Sequence, residues 1–231
     1  MTNNPVFCAF DMADIDTATK LAADLGTMIG GIKIGMEFFF RCGVAGYKEL
    51  AATGLPIFLD LKLHDIPNTV EAAVRALLGL KPFMLNVHAG GGAAMMQAAA
   101  HAAQHSDTPP IMLAVTLLTS LNDSDLHALG ISGSPRDQVL KLAALAQKNN
   151  MDGVVCSAHE IELLRAEMGA DFKLIVPGIR PIGSATNDQK RMMTPRQAYD
   201  LGADVLVIGR PITAAQNPQA VARDIAQSLG V

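Results

Sequence analysis

Short apolar runs rich in Val, Ile and Leu recur along the chain, and longer stretches with helical spacing separate them. Such runs predict strands buried on both faces, because a strand with one face in water would alternate between apolar and polar residues. Eight runs fit this description: residues 6–10, 31–35, 57–62, 84–88, 111–117, 153–156, 173–176 and 205–208. Between them lie Ala- and Leu-rich segments with helical spacing, among them 15–25, 70–80, 139–147 and 161–168. Strand and helix therefore alternate along the chain.

This alternation predicts an α/β fold with a parallel sheet. Eight doubly buried strands, each followed by a helix, in a chain of 231 residues favour a closed (β/α)8 TIM barrel, which typically has about 250 residues. An open, doubly wound sheet is the alternative. No linker, composition break or low-complexity tract interrupts the chain, so we expect residues 1–231 to form a single barrel domain.

Two predicted connections are longer and more polar than the others, namely residues 119–135 after the fifth strand and 178–194 after the seventh. Long loops in a compact domain are usually lids or ligand-binding loops. The loops that follow the strands of a barrel surround its active site. We therefore expect both connections to lie over one mouth of the barrel.

The composition narrows the classes of function. Charged residues make up 17% of the chain, the net charge is -4 and there is no Trp, so the basic stripe and aromatic platform of a nucleic-acid-binding protein are missing. Cys8, Cys42 and Cys156 are widely spaced, which indicates neither a disulfide framework nor a zinc site. We find no signal peptide and no apolar run of about 18 residues. We expect a soluble, cytoplasmic protein with no nucleic-acid or membrane partner.

The third predicted strand and its exit, FLDLKLHDIPNT, hold the first candidates for chemistry. Strand alternation places Asp60 and Lys62 on one face of this strand and leucines on the other. A carboxylate and an ammonium in an apolar strand are costly to bury unless they are paired. Asp65 follows where the strand ends, which adds a second carboxylate to the candidate site.

Lys33 lies between two isoleucines in the second strand, GIKIG, and it also needs a partner. If Lys33 and Lys62 both reach the mouth of the barrel, Asp60 can lie between them and favour their charged forms. We predict an alternating catalytic array of Lys33, Asp60, Lys62 and Asp65. The alternative is a structural ion-pair network between neighbouring strands, although buried ion pairs stabilise proteins only weakly and perturbed charges cluster at functional sites.

The end of the last strand, VLVIGRPIT, indicates a phosphate site. Many barrels bind phosphate with the loops after strands seven and eight, and Gly209 leaves its backbone N–H approachable while Arg210 offers a planar donor fork. The alternative is a surface arginine on a turn. His64 and His88 at strand ends are candidate acid–base groups, but packing or interface roles are more frequent for such residues.

Taken together, FLDLKLHDIPNT, KIG, VTLLTS, VPGIRP and VIGRPIT resemble the orotidine 5'-phosphate decarboxylases of the bacterial type, and the resemblance covers nearly the whole chain. It implies a (β/α)8 barrel that decarboxylates orotidine 5'-phosphate to uridine 5'-phosphate without a cofactor or metal, with Lys62 as the proton donor to C6. It also implies a homodimer. One departure is Leu117, which stands where relatives carry a polar side chain.

The resemblance also implies roles for individual residues. It assigns the ribose to Asp11 and Lys33, the reacting carbon to Asp60 and Lys62, and the pyrimidine to Thr119. The residues implied to complete the site of the neighbouring subunit are Asp65, Ile66 and Thr69. The residues implied to bind the phosphate are Arg180, Gln189, Gly209 and Arg210.

Two other functions fit parts of the pattern. Metal-dependent sugar-phosphate decarboxylases, synthases or aldolases of the same superfamily share the DxKxxD motif, but they carry an acid at the position of Lys33, and a metal ion would be repelled by Lys33 beside Lys62. A non-catalytic barrel that binds a phosphorylated ligand would use Arg210 and the lid, but it would have no need of Lys33, Asp60 and Lys62 in one mouth.

Overall fold

The protein is described by a computed structural model that covers residues 4–181 and 193–231. In these residues, eight parallel strands close into a barrel in which each strand pairs with its neighbour in sequence and the last pairs with the first. This confirms the (β/α)8 fold. The strands are β1 Val6–Phe10, β2 Gly31–Gly35, β3 Ile57–Leu63, β4 Met84–His88, β5 Ile111–Val115, β6 Gly153–Val155, β7 Lys173–Pro177 and β8 Val205–Ile208.

Helices cover the outside of the barrel, and five of the ten within the described residues begin after a residue whose side chain caps the helix. Asp14 caps the first helix by accepting from the N–H of Thr17, and Ser134 caps the sixth in a reciprocal box with Asp137, which satisfies N–H groups that have no partner within the helix. The helices are α1 Ile15–Leu25, α2 Met36–Ala51, α3 Pro67–Leu78, α4 Gly92–Gln104, α5 Asp123–Ala128, α6 Pro135–Lys148, α7 Ile161–Met168, α8 Pro195–Asp200, α9 Arg210–Thr213 and α10 Pro218–Leu229.

Both faces of the strands are buried, as the apolar runs predict. In β1, Val6, Cys8 and Phe10 point outward into the layer between strands and helices, whereas Phe7 and Ala9 point into the barrel. The inner cluster is continued from other strands by Phe58, Met84, Leu113, Ile175, Val205 and Val207. These side chains fill the barrel, so a ligand can enter only at a mouth.

One ion-pair network ties the chain together at the ends where β7 and β8 begin. Arg165, in α7, donates to the Asp204 carboxylate at 2.6 Å, and Lys173 lies 3.3 Å from the other oxygen of that carboxylate. The Arg165 guanidinium also donates to four backbone carbonyls, those of Gly169, Ala170, Phe172 and Gly202. Residues at this face of a barrel usually serve stability.

The first of the two long connections contains a helix that was not predicted. The stretch 119–135 is not a plain loop, because it contains the short helix α5, capped by a reciprocal box between Asn122 and Asp125. The sequence N-D-S-D carries that capping signal. Residues 182–192 of the second connection lie outside the described residues. Within the described ranges, no helix is long and apolar enough to cross a bilayer.

Candidate active site

A cavity of about 340 Å³ opens at the carboxyl ends of the strands. Its floor consists of inner-core side chains such as Phe58 and Val207, and the exits of seven strands contribute to its wall. The charged side chains among the described residues that line it are Asp11, Lys33, Asp60, Lys62, Arg180 and Arg210. Four of these are cations and two are carboxylates, so the cavity has an excess of positive charge that suits an anionic ligand.

A chain of ion pairs crosses one side of the cavity. The Lys62 ammonium lies 2.7 Å from Asp60 Oδ1, and the Lys33 ammonium lies 3.7 Å from Asp60 Oδ2 and 3.0 Å from Asp11 Oδ1. The side chains of Lys33 and Asp60 are only 11% and 12% exposed. The structure therefore brings Asp60 between the two lysines, as the sequence indicated.

The two glycines beside these charges make room for them. A Cβ atom on Gly35 would lie 3.0 Å from the Lys33 ammonium and 3.4 Å from Asp11 Oδ1. A Cβ atom on Gly209 would lie 3.3 Å from the Cβ of Ala9. The glycine at the end of GIKIG thus leaves space for the pairing of Lys33 with Asp11.

The end of β3 departs from regular strand geometry. The ladder pairs Leu59 with Leu85 and then Leu63 with Val87, so three residues of β3 face one residue of β4. Lys62, inside this bulge, has a φ of 51°, a left-handed conformation that costs a non-glycine residue about 1–2 kcal/mol. Plain strand alternation therefore gave the right face for Lys62 but does not describe how its backbone reaches it.

Asn86 is the residue of this region that the sequence argument missed. It is fully buried in β4, donates from Nδ2 to Asp60 Oδ1 at 2.7 Å, and accepts the backbone N–H of Lys62 on Oδ1 at 2.8 Å. The available signal was an amide inside the apolar run MLNVH, because a buried polar side chain requires partners.

The expected phosphate end is formed by the exits of β7 and β8. Arg180, Gly209 and Arg210 all line the cavity, and α9 begins at Arg210 immediately after β8. Thr119 and Leu117 line the cavity from the exit of β5. The fourth predicted phosphate residue, Gln189, lies outside the described residues.

Asp65, Ile66 and Thr69 are not among the described residues that line this cavity, and all three are exposed. Asp65 accepts the N–H of Ile66 at 2.7 Å, and Ile66 is 67% exposed. Within one chain, the second carboxylate of the ion-pair chain is therefore Asp11. The predicted array with Asp65 is therefore not formed within one chain.

The histidines at the strand ends form a stacked pair beside this site. The rings of His64 and His88 lie 5.2 Å apart, and His88 Nδ1 accepts the N–H of Gly90 at 3.2 Å. Burial, followed by the neighbouring His64 and Lys62, lowers the pKa of His88 from its ordinary value of 6.5. His88 is thus neutral near pH 7 and serves as a cap.

Cys156 also lines the cavity, but burial raises the pKa of its thiol. A thiol that stays protonated is a poor nucleophile. In the described ranges, no cluster of three or more His, Cys, Asp or Glu side chains has the arrangement of a metal site. The fold and this cavity together define a (β/α)8 barrel with a positively charged cavity at one mouth, whose candidate chemistry rests on paired lysines and carboxylates.

Comparison with known proteins identifies the family. The model of the "Orotidine 5'-phosphate decarboxylase / HUMPS family" matches residues 4–225, and the chain belongs to this family. It is 56% identical to an orotidine 5'-phosphate decarboxylase of Rhodospirillum rubrum, over 99% of this chain and 95% of the relative. It is 49% identical to the one of Erythrobacter litoralis, over 98% of this chain and 100% of the relative.

The fold comparison agrees with the sequence comparison. A crystal structure of orotidine 5'-phosphate decarboxylase from Lactobacillus acidophilus matches with a TM-score of 0.88 and 35% identity, over 99% of this chain and 100% of that one. An uncharacterized conserved protein from Geobacillus kaustophilus matches with a TM-score of 0.86 and 34% identity, over 97% and 100% of the two chains.

Proposed function

We propose that this protein decarboxylates orotidine 5'-phosphate to uridine 5'-phosphate, a step of pyrimidine biosynthesis, and is thus a carboxy-lyase. Family membership and relatives named for this activity, two of them at 56% and 49% identity, support the reaction. The single structural observation that carries the proposal is the placement of Asp60 between the Lys33 and Lys62 ammonium groups in a cavity with excess positive charge.

The chemistry explains why a lysine is needed. Loss of CO2 from C6 of the pyrimidine leaves an electron pair on a vinyl-type carbon that no adjacent carbonyl can delocalise in the ordinary way. A fixed cation near C6 stabilises that charge best where water is excluded. Lys62 supplies the cation and then transfers a proton from Nζ to C6, so the C–C bond electrons end in the new C–H bond.

The neighbouring charges have supporting roles in this proposal. Asp60 holds the Lys62 ammonium at 2.7 Å, and it faces the carboxylate that leaves. Lys33, held by Asp11 and Asp60, binds the ribose together with Asp11. Thr119 contacts the pyrimidine from the exit of β5.

The phosphate group of the substrate supplies binding contacts remote from the reacting carbon. Arg180, Gly209 and Arg210 line the end of the cavity where it would bind, and Gln189 is the proposed fourth contact. Enzymes lower barriers by roughly 8–23 kcal/mol or more, beyond what one lysine supplies. Binding energy from this remote group must therefore help to form the closed, dry site in which the reaction occurs.

The metal-dependent alternative is disfavoured by the position of Lys33. Its ammonium lies 3.0 Å from an oxygen of Asp11 and 3.7 Å from an oxygen of Asp60. A lysine thus occupies the space between two carboxylates in which a divalent cation would need them as ligands. A second cation there would meet like-charge repulsion of several kcal/mol, on the order of 4 kcal/mol at 4 Å in a site of intermediate dielectric.

We also propose that the working form is a homodimer. Asp65, Ile66 and Thr69 form an exposed segment directly after β3, and by family resemblance this segment completes the site of the neighbouring subunit.

The activity is tested by following ultraviolet absorbance after mixing the protein with orotidine 5'-phosphate, with and without a chelator. We expect turnover in both cases, since Lys33 replaces a metal. Lys62→Ala should lose nearly all turnover while it still binds uridine 5'-phosphate. A Lys62→Ala variant within tenfold of wild type would contradict the role of Lys62, and loss of wild-type turnover with chelator would favour the metal-dependent alternative.

The dimer is tested by mixing two inactive variants, Asp65→Ala and Lys62→Ala, after partial dissociation. Hybrid dimers should regain activity because one of their two sites has both residues intact. Asp60→Asn mixed with Lys62→Ala is the matched control: these two side chains come from one chain, at 2.7 Å, so neither hybrid site is intact. Equal activity of both mixtures would refute the shared site.

A further inference from the structure

Asn86 lies beside the bulge of β3, where a backbone N–H has no partner in the strand ladder. Between the pairs Leu59–Leu85 and Leu63–Val87, the bulge leaves residues of β3 without ladder partners on β4. A buried backbone N–H needs an acceptor. The N–H of Lys62 finds one in the side-chain oxygen of Asn86, at 2.8 Å, instead of a main-chain carbonyl.

The other end of the same amide contacts the ion-pair chain. Asn86 Nδ2 donates to Asp60 Oδ1 at 2.7 Å, and that oxygen also accepts from the Lys62 ammonium at 2.7 Å. Because two donors converge on Oδ1, the carboxylate plane is fixed and Oδ2 is turned toward Lys33, 3.7 Å away. One planar side chain thereby holds both the backbone of Lys62 and the carboxylate that pairs with its ammonium.

Asn86 itself does not line the cavity described above and is fully buried. It can therefore influence the reaction only through the residues it holds. Lys62 keeps a left-handed φ of 51°, and a strained residue persists only where its surroundings over-determine it. Asn86 accepts the backbone N–H of this strained residue and also donates to Asp60, which pairs with the Lys62 ammonium.

We propose that Asn86 is a positioning residue that preorganises Lys62: its amide locks the left-handed Lys62 backbone and the Asp60 carboxylate in the one arrangement that aims the ammonium into the cavity. This inference rests on the proposed role of Lys62 as proton donor. The amide fits both tasks because it offers an acceptor and a donor in one plane.

The test compares Asn86→Ala with Thr116→Val. Thr116 is also fully buried, follows β5 and donates a side-chain hydrogen bond to the Val155 carbonyl at 3.2 Å, away from the bonds that hold Lys62 and Asp60. We expect Asn86→Ala to lower kcat about 10- to 100-fold with a smaller change in KM, and Thr116→Val to leave kcat within a few fold. Equal kcat in the two variants, at matched folded fraction, would overturn the proposal.

Asn86→Asp supplies a readout that a space-filling role would not change. Its carboxylate accepts the Lys62 N–H but, when ionised, repels Asp60; when protonated, it again donates to Asp60. We expect kcat of this variant to rise, relative to wild type, as the pH is lowered. Profiles of identical shape for Asn86→Asp and wild type would contradict the proposal.

A measurement independent of turnover separates this inference from the proposed function. Hydrogen exchange of the Lys62 amide should be at least about tenfold faster in Asn86→Ala than in Thr116→Val, because the acceptor is gone. If wild type fails to decarboxylate orotidine 5'-phosphate, the proposed function is wrong. Hydrogen exchange of the Lys62 amide still tests whether Asn86 holds the Lys62 backbone. Unchanged exchange at this amide would refute the lock whatever the activity.

Discussion

Asp60 is the centre of the ion-pair chain, so replacing it with asparagine is the most informative single perturbation. Asp60→Asn keeps the shape of the side chain but leaves the Lys33 and Lys62 ammonium groups facing a neutral amide. At an effective dielectric constant of about 20, charges separated by 2.7 and 3.7 Å attract by about 4–6 kcal/mol each before desolvation is counted.

The net effect on stability is smaller than these attractions. Removing one partner of a buried pair typically costs about 3–5 kcal/mol. Lys62 is 28% exposed, and water screens part of its charge. Lys33 keeps Asp11 as a partner. We therefore expect Asp60→Asn to lower the free energy of unfolding by about 2–4 kcal/mol.

The chain offers a matched control in Asp11→Asn. Asp11 forms one ion pair with Lys33 at 3.0 Å, but its side chain is 59% exposed, so we expect a loss below about 1 kcal/mol. Urea unfolding followed by far-ultraviolet circular dichroism suits a chain without Trp. Protein concentration must be equal in all samples, since assembly would shift apparent stability.

A double variant isolates the interaction from other effects. Asp60→Asn/Lys62→Met removes the ammonium together with its partner, and we expect it to be more stable than the sum of the two single changes predicts, by about 1–3 kcal/mol. If Asp60→Asn is no less stable than Asp11→Asn, or if the double variant is additive, Asp60 does not anchor the two lysines and the electrostatic argument fails.

Substitutions of His88, Arg165 and Gly35 test three other features of the structure. The pKa of His88 is lowered in the folded protein, so as the pH falls the unfolded chain binds this proton at a higher pH than the folded chain does. The stability that the neutral side chain contributes is therefore present above about pH 6.5 and declines below it. The melting temperature of His88→Asn should fall less than that of wild type from about pH 7 to pH 5, and equal decreases would contradict this. Arg165→Met leaves the network of four carbonyls and a carboxylate without its donor and should cost about 3–5 kcal/mol in urea unfolding, whereas a loss under about 1 kcal/mol would make the network incidental. Gly35→Ala places a Cβ 3.0 Å from the Lys33 ammonium, and its main effect should be on turnover and not on the melting temperature. Gly79→Ala, whose added Cβ meets nothing nearer than 4.0 Å, is the control. Equal turnover of the two variants would refute the close fit at Gly35.

Some features of this site could be predicted because they lie within one short segment. Asp60 and Lys62 are two residues apart in an apolar strand, and Lys33 lies inside another. A charge in such a run has to find a partner or face a cavity, so residue type and spacing alone indicate where chemistry is concentrated. The arginine after the last strand is a similar local signal.

Other features could not be predicted because they depend on contacts between distant segments. Asn86 lies 24 residues from Lys62 in sequence, and its two hydrogen bonds arise only because β3 bulges against β4. Asp11 pairs with Lys33 across 22 residues, whereas Asp65, much nearer to Lys62 in sequence, is turned to the surface. The helix α5 within 119–135 is a different case, because its capping signal was present in the sequence and the helix could have been predicted.

The sequence by itself determined the fold class, the number and order of the strands, and the three charged residues that two apolar strands must accommodate, because alternation and burial are short-range properties of the chain. The tertiary structure alone decided which carboxylate pairs with Lys33, how the backbone turns at Lys62, and which amide holds both. Those choices follow from barrel closure and from the register shift between β3 and β4, which bring together groups that no local pattern relates.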